Sequence, residues 1–188
     1  MRLESCKTLL DSFSPDRILV VQMDTTGSNI ESDHIIRLTA CTMDGERILN
    51  IDDVNSNAED ISSKINKFFA LIGSDLFERL LPFLAKAGVN IDVDVGADLQ
   101  KEWNEIIGTY NSLIGDWIRI SLSSLAGTYH FRPHPEQYPH EFNKVYSYVF
   151  LTEKAAEIGS ISLKGTRRSQ LQIYRKTQKD ISHEHPVF

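Results

Sequence analysis

Two groups of residues in this 188-residue chain have types and spacings that could ligate a metal ion. They are the aspartates Asp92, Asp94 and Asp98, which would suit calcium, and the histidines His130, His134 and His140, which would suit zinc. Leu99-Gln100 interrupts the series of oxygen ligands that a calcium loop needs. Pro133 prevents the helical spacing that would align the histidines, and no cysteine lies nearby. We therefore interpret the two groups as a solvated turn and a proline-rich loop.

A run of basic residues near the C-terminus is a third chemical feature. Residues 164–179 contain no acid, and Gln172 and Tyr174 are interleaved with the basic positions. Basic side chains with an aromatic residue can follow a nucleic-acid backbone. The candidate nucleic-acid-binding residues are Lys164, Arg167, Arg168, Tyr174, Arg175, Lys176 and Lys179. A solubilising extension, or a segment that docks on an acidic protein surface, remains an alternative.

The charge of the chain is divided unevenly between this tail and the rest. The net charge is −6, yet residues 164–188 carry six basic and two acidic residues, which gives +4. The remaining 163 residues carry 14 basic and 24 acidic residues, which gives −10. An acidic body does not favour nucleic-acid binding through its face, because phosphate contacts need positive charge. Nucleic-acid binding remains possible for the basic tail alone.

Length and cysteine content narrow the class of protein. A chain of this length predicts one domain with a core of its own. The apolar stretches are too short to cross a bilayer, and the first seven residues have no apolar signal core, so we expect no membrane partner. Two cysteines, Cys6 and Cys41, do not form a disulfide framework. We therefore expect free thiols in a reducing, cytoplasmic setting.

The hydrophobic pattern predicts strands first and mainly helices afterwards. Short apolar runs predict strands over 18–23, 35–42 and 47–51, and Asp44-Gly45 is typical of a hairpin turn. Together they predict a three-stranded antiparallel meander. Helical spacing predicts helices over 3–13, 59–72, 76–88, 99–107, 121–126 and 139–157, with a short strand in 89–95 and strand-like pieces at 161–163 and 171–174.

The first part of the chain resembles the DEDD-type 3′–5′ exonuclease family, which includes the epsilon subunits of DNA polymerase III. That family has an apolar strand, a D-x-E-T-T-G motif, a short loop, a D-x-I-I-x-(I/L)-(G/T)-A strand and a D-G hairpin. The matching segments here are Val20–Gly27, Asp33–Ala40 and Asp44-Gly45. Leu122–Ala126 resembles the short L-x-x-L-A helix of the family. The resemblance implies an α/β, ribonuclease H-like fold, in which a central mixed sheet begins with the meander and carries helices on both faces.

The resemblance also implies two divalent metals, Mg or Mn, held by four carboxylates, with a histidine or tyrosine orienting water. If the chain is active, the catalytic candidates are Asp24, Glu78 and His140, with Asp24 as the metal ligand. Without a gap, Gln22 stands at the first aspartate position; with a gap, Asp24 takes that position and the glutamate is missing. For Asp24, a turn-capping role and a residual ligand role both remain open.

The two later motifs also depart from the family pattern. Gly73-Ser74 stands where His-Asn is expected, and Glu78 is the nearest counterpart of the acid that follows. The last motif places an aspartate five residues after its histidine, but Val145 is five residues after His140, and Asn143 is the nearest polar candidate. Compared with the family pattern, the sequence thus retains the features of the fold but lacks acidic residues that would ligate the metals.

The sequence therefore predicts an exonuclease-like domain over 1–159 and a basic C-terminal extension over 160–188. We expect a non-catalytic domain that acts in protein interaction or nucleic-acid binding, with a protein partner or nucleic acid contacting the basic tail, and no cofactor. One alternative is an active exonuclease in which Asp24, Glu78 and one of three aspartates, Asp92, Asp94 or Asp98, converge on Mg or Mn. Another is a structural subunit of a larger assembly.

Overall fold

The computed structural model describes residues 1–108, 110–111, 113, 116–118, 121–131 and 140–162. The strands are β1 (Arg2–Leu3), β2 (Ile18–Thr25), β3 (Ile35–Thr42), β4 (Arg47–Ile51), β5 (Ala70–Gly73), β6 (Val95–Asp98), β7 (Tyr110–Asn111) and β8 (Asp116–Trp117). The α-helices are α1 (Cys6–Ser12), α2 (Ala58–Ile65), α3 (Leu81–Lys86), α4 (Leu99–Ile107), α5 (Leu122–Thr128) and α6 (Asn143–Ser162). In the described part of the chain, no helix is long and apolar enough to cross a membrane.

Six strands form one mixed sheet in the order β1-β6-β5-β2-β3-β4. The β2–β3 and β3–β4 pairs are antiparallel, which confirms the predicted meander. The β2–β5, β5–β6 and β1–β6 pairs are parallel. Val21 is in register with Gly73, and Gly73 is in register with Asp98, so three parallel strands end at the same edge of the sheet. The remaining two strands, β7 and β8, form a separate hairpin.

Alternating side chains of β2 enter two hydrophobic cores on opposite faces of the sheet. Ile18 and Val20 pack in a core that contains residues of α1, α4, α5 and α6. Leu19 and Val21 pack in a second core with residues of α2 and α3. Helices therefore cover both faces, and β2 is buried on both sides. This α/β architecture fixes the position of the residues that follow β2.

Three segments differ from the expected elements. The helix predicted to reach residue 72 ends at Ile65, and Ala70–Gly73 is a buried strand inside the sheet. A four-residue apolar run has the same appearance in a buried helix and a buried strand, and the periodicity could not separate the two. The strand expected in 89–95 begins only at Val95, while α6 continues beyond residue 157 and includes positions 161–162, which were expected to be strand-like.

A paired glycine substitution tests the packing of β5. A Cβ on Gly73 would meet Leu80 Cδ2 at 2.7 Å, whereas a Cβ on Gly127 in α5 meets nothing within 4 Å. We expect Gly73→Ala to lower the free energy of unfolding by about 1–3 kcal/mol, because the core must shift. We expect Gly127→Ala to raise it by roughly 0.5–1 kcal/mol, because alanine restricts the unfolded chain and favours helix. Urea unfolding measures both; equal effects of the two variants would contradict the packing described.

Candidate functional site

A polar cavity of about 170 Å³ lies where the carboxyl ends of β2 and β5 meet. In open α/β sheets, ligands are bound outside the carboxyl ends of the strands, where the chain leaves in different directions. We call this cavity the Asp24 pocket. Its described lining residues are Val21, Gln22, Met23, Asp24, Ser74, Asp75, Arg79, Leu80, Ser123, Lys144 and Tyr148.

Gln22 is held rigidly beneath the Asp24 pocket. Its side chain is 4% exposed, and both ends of its amide are hydrogen-bonded. Thr39 Oγ1 donates to Gln22 Oε1 at 3.0 Å, and Gln22 Nε2 donates to Asp24 Oδ1 at 3.0 Å. The amide therefore faces Asp24 with its donor group. A neutral donor at this position stabilises the carboxylate of Asp24 without adding negative charge.

Lys144 supplies the positive partner of Asp24. The ammonium group, from the first turn of α6, donates to Asp24 Oδ1 at 2.5 Å. The same carboxylate oxygen thus receives an amide N–H and an ammonium N–H. The side chain of Lys144 is 55% exposed and that of Asp24 is 35% exposed, so the ion pair contributes only about 0.2–1 kcal/mol to stability. The main effect of the ion pair is that the ammonium group offsets the negative charge of Asp24 in the pocket.

Arg79 brings a second cation to the pocket and fastens the loop after β2. Its Nη2 donates to Thr25 Oγ1 at 3.1 Å and to the carbonyl oxygen of Gly27 at 3.2 Å. Arg79 Nε is buried and has no hydrogen-bond partner within the described ranges. Arg79 belongs to a π-helical turn, Leu76–Leu80, that precedes α3.

The far part of the same loop is also braced. Lys86 Nζ donates to the carbonyl oxygens of Glu31 and Asp33 at 2.9 and 2.8 Å. The side chain of Asp33 in turn accepts from the backbone N–H of Asn29 at 2.8 Å and from Thr26 Oγ1 at 3.1 Å. The loop between β2 and β3 is therefore held in place by hydrogen bonds from Arg79 and Lys86 and by its own Asp33.

Asp75 and Asp98 join the ends of β5 and β6. Asp75 has a left-handed backbone, with φ of 48°, a conformation that aspartate tolerates better than most residues. Its backbone N–H donates to Asp98 Oδ1 at 3.1 Å, and that same oxygen accepts from Lys101 N at 3.1 Å at the start of α4. Burial raises the pKa of Asp98, and hydrogen bonds from backbone N–H groups reduce that rise.

The structure places the sequence-predicted catalytic candidates in different surroundings. Asp24 lies in the pocket, whereas the side chains of Glu78 and His140 are exposed and are not among its described lining residues. His140 is in the short 3-10 turn before α6. The candidate nucleic-acid-binding residues, Lys164, Arg167, Arg168, Tyr174, Arg175, Lys176 and Lys179, lie outside the described residues, as does His134.

The interpretation of Asp92, Asp94 and Asp98 as a solvated turn is wrong for Asp98, which is buried at the end of β6 and caps α4. Asp92 and Asp94 are exposed and line another cavity, near Arg2. His130 has a left-handed backbone, with φ of 61°. Among the described residues, no three His, Cys, Asp or Glu side chains are grouped so that they could hold a metal ion.

The two cations of the Asp24 pocket, Arg79 and Lys144, were not predicted from the sequence. Each is next to a residue that stands near a family motif position, Glu78 and Asn143 respectively. A basic residue next to a position where the family has an acid was the signal in the sequence that could have identified them. The residues present do not fit a pair of divalent cations, because an ammonium group already contacts the pocket carboxylate and Gln22 is neutral.

The chain matches no family model, and no curated protein is significantly similar to it.

The pKa of Asp98 generates a prediction on pH dependence. Because burial raises this pKa in the folded state, the folded chain binds a proton more tightly than the unfolded chain, and stability falls as pH rises through the folded pKa. Asp98→Asn removes the buried charge and leaves one acceptor oxygen for the backbone N–H donors, which include those of Leu76, Gln100 and Lys101. We expect the stability of the variant relative to the wild type to rise as pH rises through that pKa. Urea unfolding between pH 3 and pH 7 checks it; a pH-independent difference would contradict it.

Proposed function

We propose that this chain is a non-catalytic, exonuclease-like domain with a ribonuclease H-like fold, and that it acts as a binding module. The mixed sheet that starts with an antiparallel meander, together with helices on both faces, supports the fold assignment. The pattern Asp24-Thr25-Thr26-Gly27 at the end of the central strand supports the family resemblance. Fold alone does not supply an activity, so the proposal depends on the site.

The observation that carries the proposal is the ion pair between Lys144 and Asp24. A two-metal nuclease centre holds two divalent cations between several carboxylates. In the Asp24 pocket, the ammonium of Lys144 is 2.5 Å from the carboxylate, and the amide of Gln22 donates to the same oxygen. Arg79 adds a further positive charge to the lining. The positive charge that metals would bring is thus supplied by the chain itself.

The alternative of an active exonuclease requires a different arrangement. It needs Asp24, Glu78 and one of the three aspartates Asp92, Asp94 and Asp98 to converge on a metal. Glu78 is exposed, and none of the three aspartates is among the described lining residues of the pocket. This separation favours the non-catalytic proposal.

A double substitution tests whether Gln22 and Lys144 are what keep divalent metals out. Gln22→Glu places a carboxylate oxygen close to the position of Nε2, 3.0 Å from Asp24 Oδ1, and Lys144→Gln removes the ammonium. Two adjacent carboxylates repel each other without a cation. We expect the double variant to be less stable than the wild type and to be restabilised by Mn²⁺, by about 2.7 kcal/mol at 100 times the Kd. Thermal unfolding with and without MnCl₂ measures this.

The matched control is Gln22→Glu alone, in which Lys144 still neutralises the pocket, so its response to Mn²⁺ should be smaller. The wild type should show no stabilisation by Mn²⁺. A wild-type response equal to that of the double variant would refute the proposal. So would Mg²⁺- or Mn²⁺-dependent digestion of single-stranded DNA by the wild type that is lost in Asp24→Ala.

The binding role that we propose for the basic tail has its own test. The six basic residues of 164–179 are suited to phosphate groups, and the salt dependence of affinity reports the number of such contacts. We expect the full chain to bind single-stranded DNA or RNA at low salt. Arg167→Gln/Arg168→Gln should reduce the slope of log K against log salt by about 1.4, at about 0.7 for each lost contact. Fluorescence anisotropy at several salt concentrations measures the slope.

Lys64→Gln/Lys154→Gln is the control, because these lysines form ion pairs with Asp60 and Glu157 on the acidic body. It should leave the slope unchanged. Absence of binding at low salt, or equal slopes for the tail variant and the wild type, would favour the structural-subunit alternative instead.

A further inference from the structure

A second cavity, of about 660 Å³, lies between the β3–β4 hairpin and the middle of α6. Phe131, Tyr146 and Phe150 provide aromatic surface, and the ring centroids of Phe131 and Phe150 are 5.2 Å apart. Asp44 and Glu153 line the same cavity, both with exposed side chains. We call these five residues the acidic-aromatic groove. It is built from different residues than the Asp24 pocket.

The charges around the acidic-aromatic groove favour a cationic occupant. Arg47, which also lines the cavity, has its guanidinium 5.5 Å from the ring centroid of Phe142 and donates from Nε to Tyr146 Oη at 3.3 Å. Lys154 forms an ion pair with Glu157 at 2.7 Å, and its ammonium lies 6.0 Å from the ring centroid of Phe150. Burial raises the pKa of Glu153, and the charge of Lys154 reduces that rise, so a further cation would also stabilise the charged form of Glu153.

We propose that the acidic-aromatic groove binds the basic segment 164–179 of the same chain, with arginine and lysine side chains against Asp44 and Glu153. Charge complementarity identifies this occupant: the segment has six basic residues and no acid, whereas residues 1–163 carry a net charge of −10. Guanidinium groups also stack on aromatic faces, and the groove supplies Phe131 and Tyr146 beside Phe150, whose ring already has the Lys154 ammonium 6.0 Å from its centroid.

The geometry of α6 brings the segment within reach. Tyr146, Phe150 and Glu153 lie on this helix, and the basic segment begins two residues after its last residue, Ser162. Ser162 lies nine positions after Glu153, which is about 14 Å of helix at 1.5 Å per residue. Arg167 and Arg168 follow Ser162 by five and six residues, enough chain for roughly 17–20 Å, so they can return to the rim of the groove.

The docking does not require the function proposed above, but it uses the same segment of the chain. The residues that would enter the groove are those proposed to contact nucleic acid, so the two interactions would compete for one segment. The groove would then hold the tail against the acidic body until a polyanion displaces it.

A spin label on the tail tests the proposal in the full-length chain. A nitroxide attached to Ser169→Cys lies next to Arg168. Cys6 and Cys41 are buried, and burial raises the pKa of both thiols, that of Cys41 to about 12, so neither should take the label. We expect loss of the amide NMR signals of residues around the groove, such as Gly45, Val149 and Phe150. The signals should return in Asp44→Asn/Glu153→Gln and at about 1 M salt, where charges are screened beyond about 3 Å.

Asp92→Asn/Asp94→Asn is the matched control, because it removes the same charge from another cavity of the fold. The loss of signal should persist in this variant. Signal loss elsewhere on the domain, or loss that Asp44→Asn/Glu153→Gln does not reverse, would overturn the proposal. A mixture of spin-labelled unenriched chain with unlabelled ¹⁵N-enriched chain separates docking within one molecule from docking between molecules, and loss of signal in the mixture would also overturn it.

Discussion

Asp24 lies at the end of a strand that is buried on both faces, and Lys144 from the first turn of α6 supplies its positive partner. The sheet fixes where Asp24 lies, because β2 pairs with β3 on one side and with β5 on the other. Gln22, anchored by Thr39, fixes one donor to that carboxylate. The position of this carboxylate is therefore fixed by the sheet. What can differ is the group that balances its charge, which can be a metal ion or a basic side chain. Here it is an ammonium group, and it also ties the first turn of α6 to the central strand.

The second cation depends on a local irregularity of the backbone. Arg79 lies in the π-helical turn Leu76–Leu80, and its neighbour Glu78 has an exposed side chain. A π turn contains an additional residue per turn and therefore changes which of two adjacent side chains faces a given direction. Arg79 then reaches Thr25 and the carbonyl oxygen of Gly27. Arg79 therefore lines the pocket and also holds the loop that follows β2.

The sequence predicted the part of this arrangement that depends on strong local signals. The meander was predictable because β2 and β3 are apolar and rich in β-branched residues, and because Asp44-Gly45 suits a hairpin. Strand β5 was not predictable from periodicity, because Ala70–Gly73 is too short and is buried on all sides. Asp24 was found through its motif. Lys144 lies 120 positions away and Arg79 lies in a π turn, so their contacts depend on tertiary packing that no local pattern encodes.

The charge of Asp24 is balanced within the protein by Lys144. Other surfaces of the chain are therefore better candidates for recognition of a charged partner. Oppositely charged groups that are already paired have little further attraction for a charged ligand, because a new partner must first displace the old one. In the acidic-aromatic groove, by contrast, Asp44 and Glu153 are exposed beside aromatic rings, and the basic segment carries six positive charges without an acid. The groove and the basic segment therefore attract charged partners more strongly than the Asp24 pocket does. If the chain is the non-catalytic domain that we propose, recognition would use these surfaces and not the Asp24 pocket, whose carboxylate is already paired with Lys144.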